Sequence, residues 1–110
     1  MGYVTCMEFI ETSLFSKLRE SYFGDLEFHL MQFHLISRPD AGDLIKGTGG
    51  ARKLRWGTGN KGKSGGARVI YYWITKYDQI LLITVYGKNE AADLSQAAKK
   101  EIKKLIKGLE

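Results

Sequence analysis

Gly57-Thr58-Gly59-Asn60-Lys61-Gly62-Lys63-Ser64-Gly65-Gly66-Ala67 runs directly into Arg68-Val69-Ile70-Tyr71-Tyr72-Trp73-Ile74-Thr75, and the fold turns on how this stretch is read. Residues Gly57 to Ser64 satisfy the phosphate-loop pattern: a glycine, four residues, then Gly-Lys-Ser. That pattern binds phosphate only where a buried strand leads in and a helix leads out, because the helix N-terminus and the loop amides form the cradle. Here the continuation is β-branched and aromatic, which reads as a strand. The glycine-rich stretch is therefore a connection between two antiparallel strands, with Lys61 and Lys63 at its tip.

The strand before this connection is expected over Ala51 to Trp56 and the strand after it over Arg68 to Thr75. A fourth strand, Ile80 to Tyr86, follows the turn Tyr77-Asp78-Gln79. Connections this short permit only antiparallel pairing among the three. Upstream, Met7 to Glu11 reads as a short first strand. Thr12 or Ser13 can cap a helix whose apolar residues Leu14, Phe15, Leu18 and Tyr22 recur at helical spacing. Gly24 breaks that helix and Asp25 can cap the next, which carries Leu26, Leu30, Met31, Phe33 and Leu35 and must end before Pro39. Asp40 to Gly50 reads as a glycine-rich loop. Downstream, Asp93 or Ser95 can cap a final helix with an apolar stripe of Ala98, Ile102, Leu105, Ile106 and Leu109 and a wet side of lysines. The order β-α-α-β-β-β-α predicts an α+β fold: a mainly antiparallel sheet, two N-terminal helices on one face, and a C-terminal helix.

At 110 residues the chain suits one domain, 1–110, able to bury roughly two thirds of its unfolded surface. With 44% hydrophobic and 26% charged residues it is not disordered in composition. A single cysteine, Cys6, rules out an internal disulfide and offers no zinc cluster, which suits a reducing compartment. No apolar run approaches the ~20 residues of a membrane span. A cytoplasmic protein without membrane contact is expected.

Between Asp43 and Asp78 stand eight lysines and arginines (Lys46, Arg52, Lys53, Arg55, Lys61, Lys63, Arg68, Lys76), eight glycines and no carboxylate. A positive field with nothing to neutralise it attracts a polyanion such as nucleic acid. Alternation along the strands puts Lys53 and Arg55 on one face, opposite Leu54 and Trp56, and Arg68 on a face with Ile70 and Tyr72. At the end of the fourth strand Tyr86 and Lys88 share parity across Gly87. If the helices cover the other face, Lys53, Arg55, Arg68, Tyr86 and Lys88 converge on an open cationic groove. Arginine suits the charge that grows on a phosphorane, tyrosine can stack on an unpaired base, and a lysine crowded by cations can act as a base toward a ribose 2′-OH. A basic sheet that binds RNA without reacting fits the same residues. His29 and His34, five apart and roughly 140° apart around a helix, form no chelating pair. No serine–histidine–aspartate set, metal cluster or carboxylate dyad emerges, so neither metal nor cofactor is expected.

Three segments, Gly47-Thr48-Gly49-Gly50-Ala51-Arg52-Lys53-Leu54-Arg55, Gly65-Gly66-Ala67-Arg68-Val69-Ile70-Tyr71-Tyr72 and Thr84-Val85-Tyr86-Gly87-Lys88-Asn89-Glu90, resemble those of HigB-type toxins of the RelE superfamily. The likeness runs in order from Met7 onward. It implies a metal-independent endoribonuclease of a type II toxin–antitoxin module of the phage-derived, host-killing kind. Such an enzyme cuts mRNA in the ribosomal A site by attack of the 2′-OH on the adjacent phosphate. It further implies catalytic roles for Lys53, Arg55, Arg68 and Lys88, with Tyr86 beside them. Arg52, Lys61, Lys63, Tyr72 and Asn89 are expected as RNA contacts, and an antitoxin with a helix-turn-helix domain as partner. Asn89 stands where the family's RelE branch has an arginine, and the family's late tyrosine falls near Ser95. The general acid is thus open, with Tyr86 and Lys88 at hand. Met1 to Cys6 precede the family's usual start, which makes Met7 the expected initiator or the extension a flexible lead.

Overall fold

Thr12 ties the first strand, the first helix and the last strand together. The structure, a computed structural model, describes residues 7–57, 66–88, 90 and 93–109. Strand β1 (Glu8–Glu11) ends at Thr12, whose Oγ1 accepts from the Phe15 N–H and so caps helix α1 (Ser13–Tyr22). After α1, Gly24 serves as N-cap of α2 (Asp25–Ser37), its N–H donating to the Glu27 carboxylate. Asp25 is thus the first helical residue rather than the cap. Helix α2 stops before Pro39, as the proline requires.

A strand that the sequence did not announce follows. Asp43–Leu44 forms β2, two residues long, inside the expected loop, and pairs antiparallel with β3 (Arg52–Trp56). Two residues carry no periodicity, so pattern reading has nothing to detect. Strands β4 (Ala67–Ile74) and β5 (Gln79–Gly87) complete the sheet, joined by a 3-10 turn over Thr75–Tyr77. The spatial order is β1-β5-β4-β3-β2. Pairs β3·β4 and β4·β5 are antiparallel as expected, and the added pair β2·β3 is antiparallel too, whereas edge strand β1 runs parallel to β5, reached through the two helices. Helix α3 (Gln96–Lys107) is capped by Ser95, whose Oγ accepts from the Ala98 N–H. No helix among the described residues is long and apolar enough to cross a membrane.

Each face of the sheet has its own core. Helices α1 and α2 close one face, where Phe15, Phe28, Met31 and Leu35 meet Leu54, Val69, Tyr71, Ile80 and Leu82. Helix α3 lies on the opposite face, with Ile102 and Ile106 against Ala51, Ile70, Ile74, Leu81 and Ile83. The basic face is therefore only half open, with α3 over one end.

Gly47-Thr48-Gly49-Gly50 makes that docking possible. Thr48 is fully buried, and its Oγ1 donates to the Ile45 carbonyl while accepting from the Ala51 N–H. The three glycines all have positive φ. A Cβ on Gly49 would stand 3.7 Å from Lys103 and 3.8 Å from Ile106, and one on Gly50 3.2 Å from the Tyr72 ring. This segment serves as a bed for α3.

Candidate nucleic-acid interface

Register builds the site. Across the sheet, Arg55 is paired with Arg68 and Arg68 with Tyr86, giving one row over β3, β4 and β5. One step further in, Lys53 pairs with Ile70 and Ile70 with Thr84. Directly opposed residues stand about 5 Å apart at their Cα atoms, so Lys53, Arg55, Arg68 and Tyr86 form a cluster beyond the end of α3. Opposed like charges cost stability, and Arg55 against Arg68 is such a pair.

Simple alternation would put Tyr86 elsewhere. Counting by twos from Ile80 and Leu82 places it under α1 and α2. A β-bulge at Ile83 breaks the count: Leu82 pairs with Tyr71 but Thr84 with Ile70, leaving one extra residue. The carbonyl of Ile83 accepts from Thr12 Oγ1 at 2.6 Å, and that of Leu82 from the Thr12 N–H. The residue that caps α1 thus also holds the bulge that turns Tyr86 toward Arg68.

Two polar atoms in this row, Arg68 Nη1 and Tyr86 Oη, are buried without a hydrogen-bond partner. Leaving such groups unpaired is costly, and a ligand oxygen between them would satisfy both. Trp73 Nε1 shares that condition on the opposite face. Burial, and then the nearby Asp93 carboxylate, push the Tyr86 phenol above its ordinary pKa, against the opposing pull of Arg68. Tyr86 is accordingly a protonated donor at neutral pH.

Asp93 is the residue that sequence reading missed in this role. Its carboxylate lies 3.8 Å from Lys53 Nζ and 3.7 Å from Lys99 Nζ, and it accepts from the Leu94 N–H at 2.8 Å. That backbone hydrogen bond, then the two lysines, hold its pKa below the usual carboxylate value. The segment free of carboxylates receives one from 40 residues away. Only the fold supplies that information.

The remaining expected residues divide. Lys88 is exposed in the turn beyond β5; its N–H donates to the Gly66 carbonyl, which sets it beside the start of β4. Arg52 lies on the other face, its guanidinium donating to the carbonyls of Asp40 and Gly42 at 3.2 and 2.8 Å. Tyr72 is four residues along β4 from Arg68, against Gly50 and within the α3 core. Lys61, Lys63 and Asn89 fall outside the described residues. Gly87 leaves no opening for a ligand: a Cβ there would meet Glu90 Oε1 at 2.8 Å and the Tyr22 ring at 3.4 Å. Glu90 accepts from the Gly87 N–H and from the Tyr22 hydroxyl, clamping the turn that carries Lys88. His29 and His34 sit on α2 beside Phe28 and Trp56, away from the row. Among the described residues no group of three His, Cys, Asp or Glu side chains is placed to hold a metal.

An apolar groove adjoins the row. It encloses about 480 Å³ between β5 and α3 and is lined by Thr84, Tyr86, Leu94, Ala98, Ile102 and Leu105, among others, so that Tyr86 belongs to both the groove and the cationic row.

No protein-family model matches the chain. The fold is nevertheless similar to the crystal structure of the isolated E. coli RelE toxin, with a TM-score of 0.53 at 16% identity over 91% of this chain and 99% of that one. The three helices and mixed five-stranded sheet agree with a RelE-like α+β architecture.

Proposed function

We propose that this protein is the toxin of a type II toxin–antitoxin module, of HigB type, and that it cleaves mRNA in the ribosomal A site without a metal. The observation that carries this reading is the paired orphans: Arg68 Nη1 and Tyr86 Oη, buried, unpartnered and opposite one another in a row of cations. A phosphodiester set against the row receives charge-assisted hydrogen bonds from Arg68 and Arg55. The 2′-oxygen forms its bond to phosphorus as the bond from phosphorus to the 5′-oxygen breaks. Lys53 takes the 2′-OH proton, and the Tyr86 phenol, kept protonated by its surroundings, gives one to the departing 5′-oxygen. An unpaired base fits the apolar groove with the Tyr86 ring as one wall. Lys88 and, beyond the described residues, Lys61, Lys63 and Asn89 supply backbone contacts; Arg52 and Tyr72 act by supporting the sheet. A cognate antitoxin bearing a helix-turn-helix domain is the expected partner.

Primer extension on translated mRNA from cells expressing the protein tests the reading. New 5′ ends within codons are expected, and Arg68→Ala and Tyr86→Phe should suppress them. Expression that arrests no growth and leaves messages intact, with RNA binding preserved in vitro, would replace cleavage with simple binding.

A further inference from the structure

The groove between β5 and α3 is apolar except at one point. Leu14 of α1 and Ile83 of β5 complete walls otherwise made by Tyr86, Leu94, Ile102 and Leu105, and Glu101 is the one charged side chain among the lining residues. Helix α3 has five lysines and this single acid. Glu101 follows Ala98 by three positions and precedes Leu105 by four, so the three stand side by side at the border between the apolar stripe and the wet face. Its Oε1 lies 3.7 Å from Lys104 Nζ, the two side chains being 76% and 78% exposed. A pair so exposed contributes little and leaves the carboxylate available to another partner.

The two ends of the groove define that partner. At one end Tyr86 joins it to the row of Lys53, Arg55 and Arg68, which suits a phosphate. Between the ends, about 480 Å³ of apolar space is the size of a small-molecule cleft and accepts a flat ring. Anion and flat ring together describe a nucleotide. At the rim the Glu101 carboxylate only accepts hydrogen bonds, so it needs donors from the base. Adenine and cytosine each offer an amino group beside a ring nitrogen that accepts, and uracil a single N–H flanked by two carbonyls, so each sets an acceptor against the second carboxylate oxygen. Guanine alone of the four presents two adjacent donors, N1–H and N2–H, in the parallel arrangement that both oxygens can meet.

We infer that the groove selects guanine and that Glu101 determines that specificity, an inference that rests on the cleavage reading for bringing an unpaired base to Tyr86. The base stacks on the Tyr86 ring and turns its Watson–Crick edge toward α3. A single strand leaves that edge open, whereas a paired stem does not. Glu101→Gln is expected to exchange the preference rather than abolish it. The amide oxygen accepts from adenine N6 while the amide nitrogen donates to adenine N1, and the same nitrogen sets a donor against the guanine N–H groups.

Fluorescence anisotropy of the full chain with short deoxyuridine strands is the test, because these lack the 2′-OH and cannot be cut; the central base is guanine, hypoxanthine or adenine. Wild type is expected to bind the guanine strand about tenfold more tightly than the adenine strand, as a bidentate contact discriminates. Hypoxanthine, which keeps N1–H and lacks the amino group, should fall between. Glu101→Gln should reverse the order of guanine and adenine, and Glu101→Ala should lose the preference without gaining adenine, each variant being checked for native circular dichroism. A wild-type chain that binds none of the strands, or all alike, overturns the inference and leaves the groove to another occupant such as an apolar peptide. So does a guanine preference that both variants keep. The cleavage reading fails separately: guanine-selective binding with intact messages would sink it and retain this assignment, whereas new 5′ ends in cells without any selection of guanine by the groove would do the opposite.

Discussion

The two faces of the sheet are built from the same strands yet obey different rules. Under α1 and α2, Leu54 of β3, Val69 and Tyr71 of β4 and Ile80, Leu82 and Val85 of β5 are enclosed in an apolar core, and Tyr71 donates its hydroxyl to the Pro39 carbonyl while accepting from the Gly42 N–H. On the other face the core under α3 gives way to opposed arginines and two orphaned polar atoms. A stability-driven sequence would not leave like charges facing each other beside unpaired donors. The difference separates residues that hold the fold from residues that await a ligand.

Substitutions should separate along the same line. Phe15→Ala, in the closed face with no exposure, is expected to cost about 3–5 kcal/mol, read as a large drop in the denaturation midpoint. Arg68→Gln should do the reverse: the midpoint holds or rises because a like-charge opposition is relieved, while cleavage falls roughly 100-fold to 1000-fold. If Arg68→Gln unfolds the protein instead, the guanidinium is structural and the contrast between the faces fails.

Tyr86→Phe follows in size. Removing a phenol that donates a proton is expected to slow cleavage about 100-fold or more, with stability unchanged or slightly higher because an unpaired buried hydroxyl is gone. Its raised pKa gives a second readout. The folded state favours the neutral phenol, so that contribution is complete below the ordinary tyrosine range and is lost as pH climbs through the raised value. Ultraviolet titration of the folded wild type should show late-ionising phenols from Tyr22, Tyr71 and Tyr86, one fewer in the variant.

Much of this architecture could be read from residues alone, since β4 and β5 are long β-branched runs and α1 and α3 have clear apolar stripes. The row itself was half readable. Lys53, Arg55 and Arg68 follow from parity, whereas Tyr86 reaches them only through the bulge at Ile83, whose stabilising contact with Thr12 spans 71 residues. Glycines proved the least transparent. Gly47, Gly49 and Gly50 read only as a loop, but they serve the packing of α3, and Gly87 accommodates Glu90 and Tyr22. A glycine records a close approach without naming what approaches. Glu90→Ala, which frees the turn behind Lys88, should lower stability by about 1 kcal/mol or less and cleavage several-fold.

Asp93 is the subtlest case, because it brings the one carboxylate among the described residues that pairs with the cations of the open face. Exposed ion pairs of this kind contribute little to stability. Its depressed pKa means that what it does contribute is present above the ordinary carboxylate range and is lost as pH falls through the lowered value. Acid denaturation of Asp93→Asn should therefore nearly overlay that of wild type. RNA binding is where the substitution ought to show. With Lys53 and Lys99 released, about one more phosphate can be neutralised, which tightens binding to a single-stranded oligonucleotide and steepens its salt dependence by about 0.7 in log–log slope. Unchanged slope would mean that the two lysines never reach the backbone of the RNA, and tighter binding together with lost cleavage would move Asp93 from competitor for Lys53 to participant in the chemistry.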